Sequence, residues 1–111
     1  MTELTTLYAI AEERKRTPAE NSYSSYLFGA GLDKILKKIG EEAAETIIAA
    51  KNLERGGTGA EFTGEVCDLL YHLVIALVEL DVPLGDIQAE LARRAEKQGN
   101  LKKTRETDKD T

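Results

Sequence analysis

The sequence predicts an all-α protein, and three observations predict it. Apolar residues recur at a 3.6 period through four segments. Nowhere do apolar and polar residues alternate as they would along a half-buried strand. A charged fraction of 32% with only 5% aromatics suits helices with broad solvated faces better than a β-sandwich. At 111 residues the chain has enough material for one core but not two, so one domain is expected over 1–98. A tail at 99–111 comes after it, whose stretch KKTRETDKDT has no apolar content and is expected to be disordered.

Leu4, Leu7, Tyr8 and Ala11 define a first helix over 2–16, which Thr17 and Pro18 end. The stretch AENSYSSYLFGAG, residues 19–31, mixes serines, Asn21, two glycines and three aromatics without a sustained period, and reads as an ordered loop. From Leu32 to Leu53 the residues Ile35, Leu36, Ile39, Ala43, Ile47 and Ala50 keep helical spacing, with Gly40 a mild breaker, and predict a long second helix. Arg55-Gly56-Gly57-Thr58-Gly59 then supplies glycines for left-handed turns and a threonine to cap the next helix. So short a connection returns the third helix, 60–81, antiparallel to the second. Pro83 suits the first turn of a fourth helix, which runs through Lys97 and ends at Gly99. The expectation is a four-helix antiparallel bundle-type chain. Its third helix is apolar around most of its circumference, with Val66, Leu69, Leu70, Leu73, Val74, Ile75, Leu77, Val78 and Leu80. The rest of so short a chain is too small to cover it, so the core is expected to be completed by a two-fold homodimer with the third helix as its seam.

Charge and composition exclude several classes of function. A net charge of −5 counts against a bare electrostatic nucleic-acid binder. No apolar run approaches the roughly 18 residues of a membrane span, and MTELTTLYAIAEERK lacks the basic start and apolar stretch of a secretion signal. The single Cys67 excludes an intrachain disulfide framework and fits a reducing compartment, so a cytoplasmic protein is expected. An acidic protein that handles an anionic ligand needs a cation between them.

The second helix carries carboxylates where its pattern asks for burial. At about 100° per residue, Ile35 and Thr46 fall within about 40° of Glu42 and Ile39 within about 60°, so Glu42 lies on the inward face. Glu45 comes one turn on at the edge of that face, and Glu41 stands beside it as a flanking ligand. On the third helix Glu65, Asp68, His72 and Glu79 form one narrow polar stripe on an otherwise apolar surface. Facing the two helices brings Glu42, Glu45, Glu65 and Asp68 into one groove. Carboxylates gathered there repel one another unless a divalent cation joins them. Oxygen-only ligands select hard ions, and magnesium completes its shell with water and substrate phosphates, so the groove reads as a phosphate-processing site. Either E-x-x-E or E-x-x-D alone is ordinary helix surface; the pair, one on a buried face and one on the only polar stripe, is more specific.

Other residues carry weaker signals. His72, four residues after Asp68, could touch metal or phosphate, though a lone helical histidine is usually packed or solvated. A di-iron carboxylate bundle would need two Glu-x-x-His motifs, and the chain has one histidine and neither motif. Lys34, Lys37, Lys38 and Lys51 flank the glutamates, with Lys38 best placed to meet a phosphate. Cys67 is read as packing, since no base stands by to activate it, and Arg93 and Arg94 as charged exterior.

The arrangement Glu42-Ala-Ala-Glu45, linker, Glu65-Val-Cys-Asp68 resembles the all-α nucleotide pyrophosphohydrolase (MazG-like) superfamily, and within it the phosphoribosyl-ATP pyrophosphohydrolase family. The stretches RKRTPAENSYSSYLF, GLDKILKKIGEEAAETIIAAK and EVCDLLYHLVIALVELDVPLGDIQAELARR carry the resemblance, most specifically KIGEEAAE and DLLYHL. It implies a dimeric, magnesium-dependent helical enzyme that hydrolyses phosphoribosyl-ATP to phosphoribosyl-AMP and pyrophosphate, the second step of histidine biosynthesis. Carried over by position, Glu42, Glu45, Glu65 and Asp68 would be catalytic metal ligands with Glu41 in support. Ser22, Tyr23 and Ser24 resemble the family's Ser-Tyr-Thr stretch and would help shape the substrate site, joined by Lys38 and His72. Ser24 stands where the family has threonine and keeps the hydroxyl. Two other readings stay open: a house-cleaning pyrophosphohydrolase of free nucleoside triphosphates, and a non-catalytic helical dimerisation module with solvated acidic stripes.

Overall fold

A computed structural model describes residues 2–99, so all of the expected tail at 99–111 except Gly99 lies outside the described residues. Five helices succeed one another: α1 (Glu3–Arg16), α2 (Tyr23–Ala30), α3 (Leu32–Glu54), α4 (Gly59–Glu79) and α5 (Leu84–Gln98). There is no strand among the described residues, as the all-α expectation requires, but the count of four helices is corrected to five.

The added helix is α2, inside the segment read as a loop. Ser22 starts it: its side chain accepts the backbone N–H of Ser25 at 3.2 Å. Gly31 ends it at φ 101°, a conformation that glycine adopts at no steric cost, and so lets the chain pass straight into α3. Three residues of low helix propensity, Ser24, Ser25 and Gly29, and a length of only two turns hid the period. Tertiary burial overrides that weakness, because Leu27 is completely buried against the core.

Leu27, Ile35 and Ile75 are the largest fully buried side chains, and Ala11, Val74 and Val78 pack around them. Helices α3 and α4 form the antiparallel hairpin expected from their short link. Thr58 caps α4 by accepting the Glu61 N–H at 3.2 Å. Gly57 is required in the turn, since a Cβ there would stand 2.8 Å from the carbonyl oxygen of Asn52.

Helix α1 lies against α4 and fixes its far end. The Lys15 ammonium donates to the carbonyls of Val78 and Glu79, both at 3.1 Å, and stands 3.5 Å from Asp81, where a cation complements the last turn of α4. Glu79, the last member of the polar stripe, lies at this end, 4.0 Å from Lys15. The Tyr8 hydroxyl donates to Val82 at 2.8 Å and holds the chain between α4 and α5. Tyr8→Phe removes that bond and is expected to cost about 1 kcal/mol, a fall of roughly 4–8 °C in melting temperature read by thermal denaturation.

Helix α5 is not packed along any of the other four; of its apolar stripe only Leu84 is buried, while Ile87 and Leu91 are exposed. Its surface charges satisfy one another, with Glu90 accepting from both Arg93 and Arg94. On α4, Leu70, Leu73 and Leu80 are exposed along one face. Cys67 is exposed too, so nothing among the described residues packs over it. No helix among the described residues is long and apolar enough to cross a membrane.

Candidate active site

The antiparallel register of α3 and α4 sets Glu42 and Glu45 opposite Glu65, and carboxylate oxygens of the three lie within 4.8 Å of one another. Glu42 is only 6% exposed, Glu65 is half-buried and Glu45 is on the open side. Thr46 fixes the register at this level. Its hydroxyl reaches back to the Glu42 carbonyl at 2.7 Å and across to the Glu65 carbonyl at 3.2 Å, one proton serving both. Spacing placed Thr46 on the inward face but assigned it no task. The available signal was a threonine one turn after Glu42, able to bond the carbonyl four residues back.

The cluster is electrostatically unsatisfied by the protein alone. Glu42 Oε2 and Glu65 Oε2 are buried without a hydrogen-bond partner among the described residues. Burial, and after it the nearby charge of Glu45, pushes the Glu42 carboxyl above the ordinary carboxylate range. Burial and a hydrogen bond with Glu45 push Glu65 the same way. Native proteins rarely leave such oxygens orphaned, and a hard divalent cation supplies what they lack: positive charge and bonds to carboxylate oxygen. The donor set therefore fits a metal ion.

The remaining expected residues surround this trio in two groups. Asp68, one turn after Glu65, is exposed and outside the tight trio, yet its charge acts on Glu42 and so places it at the rim. Glu41 is exposed and turned to Lys38, whose ammonium stands 3.4 Å from Glu41 and 3.8 Å from Glu42. Lys51 pairs with Glu54 at the exposed end of α3. Ser22 is the α2 cap, with Ser24 bonded to it at 3.1 Å.

His72 is 4% exposed, and both its ring nitrogens are engaged within the protein. Nδ1 lies 2.7 Å from the Asp68 carbonyl and Nε2 lies 2.8 Å from the Tyr23 hydroxyl. Tyr23 is thereby tied to α4. Lys38 and Glu42 are near enough to act on its phenol, whose pKa is raised chiefly by burial. Sequence periodicity places His72 beside Asp68, but not its bond to a residue 49 positions away.

Comparison with known proteins gives one consistent result. A family profile described as Phosphoribosyl-ATP pyrophosphohydrolase matches residues 4–95. A Clostridium botulinum protein named phosphoribosyl-ATP pyrophosphatase is 50% identical over 101 residues, covering 91% of this chain and 88% of that protein. Relatives of the same name from Streptococcus sanguinis and Listeria monocytogenes are 51% and 52% identical over 98 and 103 residues. They cover 88% and 93% of this chain, and 90% and 92% of their own lengths.

Proposed function

This chain belongs to the phosphoribosyl-ATP pyrophosphohydrolase family, and from that premise we infer that it hydrolyses phosphoribosyl-ATP to phosphoribosyl-AMP and pyrophosphate, the second step of histidine biosynthesis. The observation that carries the chemistry is the trio Glu42, Glu45 and Glu65, two of whose buried oxygens have no partner among the described residues.

Those three, with Asp68 at the rim and Glu41 beside it, would hold magnesium. When bound, the ion supplies charge neutralisation for the phosphates and a lowered pKa for the attacking water. The protein's own groups do the rest. Burial of Glu42 keeps its carboxylate pointed into the groove and away from competing solvent. Lys38, next to Glu41 and Glu42, offers the positive charge that meets a phosphate oxygen approaching from the open side. Thr46 holds α3 and α4 in the register the trio needs. Ser22 and Tyr23 border the groove from α2, and His72 holds Tyr23 there.

A two-fold homodimer completes this reading. Its support is the apolar surface of α4 and α5 that stays exposed among the described residues, namely Leu70, Leu73, Leu80, Ile87 and Leu91. The single cysteine fits a cytoplasmic enzyme.

Substrate choice is tested by pyrophosphate release from phosphoribosyl-ATP beside ATP and the deoxynucleoside triphosphates. A preference of about a hundredfold or more in kcat/KM for phosphoribosyl-ATP is expected, on the scale that site-directed polar recognition provides. Equal or better turnover of free triphosphates would move the enzyme to nucleotide-pool sanitation. Silence on all of them would leave a helical dimerisation module.

A further inference from the structure

The chain has four tyrosines, and three of them stand in one row beside the carboxylate groove. Tyr26 and Tyr23 have ring centroids 6.2 Å apart and planes 25° apart; Tyr23 and Tyr71 have centroids 6.1 Å apart and planes 23° apart. His72 meets Tyr23 and Tyr71 edge-on, at 5.6 Å and 5.3 Å, and wedges the row from behind. Tyr23 is 45% exposed and Tyr26 54%, so a broad apolar ring surface opens next to the most charged part of the molecule.

The hydrogen-bond polarity of this arrangement follows for the neutral imidazole ring. A carbonyl oxygen only accepts, so the Asp68 carbonyl requires the proton on Nδ1 of His72. In the neutral ring Nε2 is then bare, and the Tyr23 hydroxyl must donate to it. Tyr23 has its proton committed inward, and what it offers outward is its ring. Tyr23, the middle ring, is tied through His72 to the backbone of Asp68, which sets the row beside the acidic motif of α4, and from there the row extends along α2 to Tyr26, one turn on. A nucleotide whose polyphosphate lies on the carboxylates must put its base a short distance away, and aromatic rings accept a base face without needing a hydrogen-bond match.

We propose that the row Tyr26, Tyr23 and Tyr71 is the shelf on which the adenine ring of the substrate stacks, and that His72 is the positioning residue that fixes the shelf to Asp68 and α4. The proposal rests on the hydrolysis of phosphoribosyl-ATP inferred above.

The test is steady-state kinetics on phosphoribosyl-ATP with magnesium. Tyr26 is exposed, so its variants keep the fold. Tyr26→Ala is expected to raise KM about tenfold with little change in kcat, and Tyr26→Phe, which keeps the ring, to stay near wild type. Tyr23→Phe removes the donor, and His72→Asn keeps a donor for the Asp68 carbonyl while removing the acceptor. Each is expected to raise KM several-fold, and the double variant no more than either alone, because both break one bond. An unchanged KM in Tyr26→Ala, or additive effects at Tyr23 and His72, overturns the proposal. A Tyr26→Ala protein that sediments as a smaller species than wild type also overturns it, since the row would then be a contact between copies of the chain. Should wild type leave phosphoribosyl-ATP intact, the activity reading falls, and calorimetric binding of AMP decides the shelf by itself. Affinity about tenfold weaker in Tyr26→Ala supports it, and equal affinity overturns it.

Discussion

Glu45→Gln protein is expected to fold, to melt above wild type in ion-free buffer, and to lose about 10³-fold of kcat. The activity loss comes from removing a charged oxygen ligand from a trio whose oxygens lie within 4.8 Å of one another. The stability gain has two sources. The charge of Glu45 raises the cost of ionising both Glu42 and Glu65, and glutamine removes it. The new amide can also donate where Glu45 already meets its neighbours, close to the orphaned Oε2 atoms. Satisfying one such buried oxygen contributes about 1–2 kcal/mol, so a rise of several degrees in melting temperature is expected. Thermal denaturation in chelator and initial-rate kinetics on the same preparation check both halves. A variant that keeps wild-type kcat, or that melts lower without metal, contradicts the assignment of the trio.

The second large effect is the response of stability to magnesium and pH. Glu42 and Glu65 have folded-state pKa values above the ordinary carboxylate range, raised first by burial. The stability these groups contribute is therefore fully present below the unfolded value of about 4.5 and is lost as pH rises through the raised folded values. Ion-free protein should thus lose stability at this site as pH rises above about 4.5. Glu90 works in the opposite sense, because hydrogen bonds from Arg93 and Arg94 hold it at about 2, but it faces solvent and screening leaves it little weight. Magnesium competes with protons for the same oxygens, so its stabilisation should grow with pH. At a hundred times its dissociation constant the ion contributes about 2.7 kcal/mol, on the order of 10 °C in melting temperature for a domain of this size. Melting curves at several pH values, with magnesium and with chelator, decide the matter. Curves that diverge as pH rises are expected, and parallel curves contradict a metal held by these oxygens.

Legibility in the sequence depends on how far along the chain each feature is encoded. Helices α3 and α4 span 23 and 21 residues, long enough for their amphipathic period to declare itself and for Glu42 to stand out on an inward face. Helix α2 has eight residues and carries its start and stop in single positions, Ser22 and Gly31, which composition alone presents as loop chemistry. Helix α5 shows a clear apolar stripe, and nothing local says that Ile87 and Leu91 stay exposed among the described residues.

The site divides in the same way. The pairs Glu42 with Glu45 and Glu65 with Asp68 are local spacings, legible at once, and the structure gathers three of the four most tightly. Glu79 has the right spacing for the stripe but is drawn to Lys15, 64 positions earlier, which no periodicity reveals. The bond between His72 and Tyr23 likewise joins residues distant in sequence, and so does the reach of Thr46 to α4. These long-range bonds are what turn two acidic motifs into a shaped groove.

The most direct measurement is pyrophosphate release from phosphoribosyl-ATP by wild-type protein with magnesium, with chelator, and with Glu45→Gln protein in parallel. Rapid release is predicted for wild type with magnesium alone, and release at least about 10³-fold slower in the other two. Release that continues in chelator, or at wild-type rate in the variant, would contradict a magnesium site built on the three glutamates.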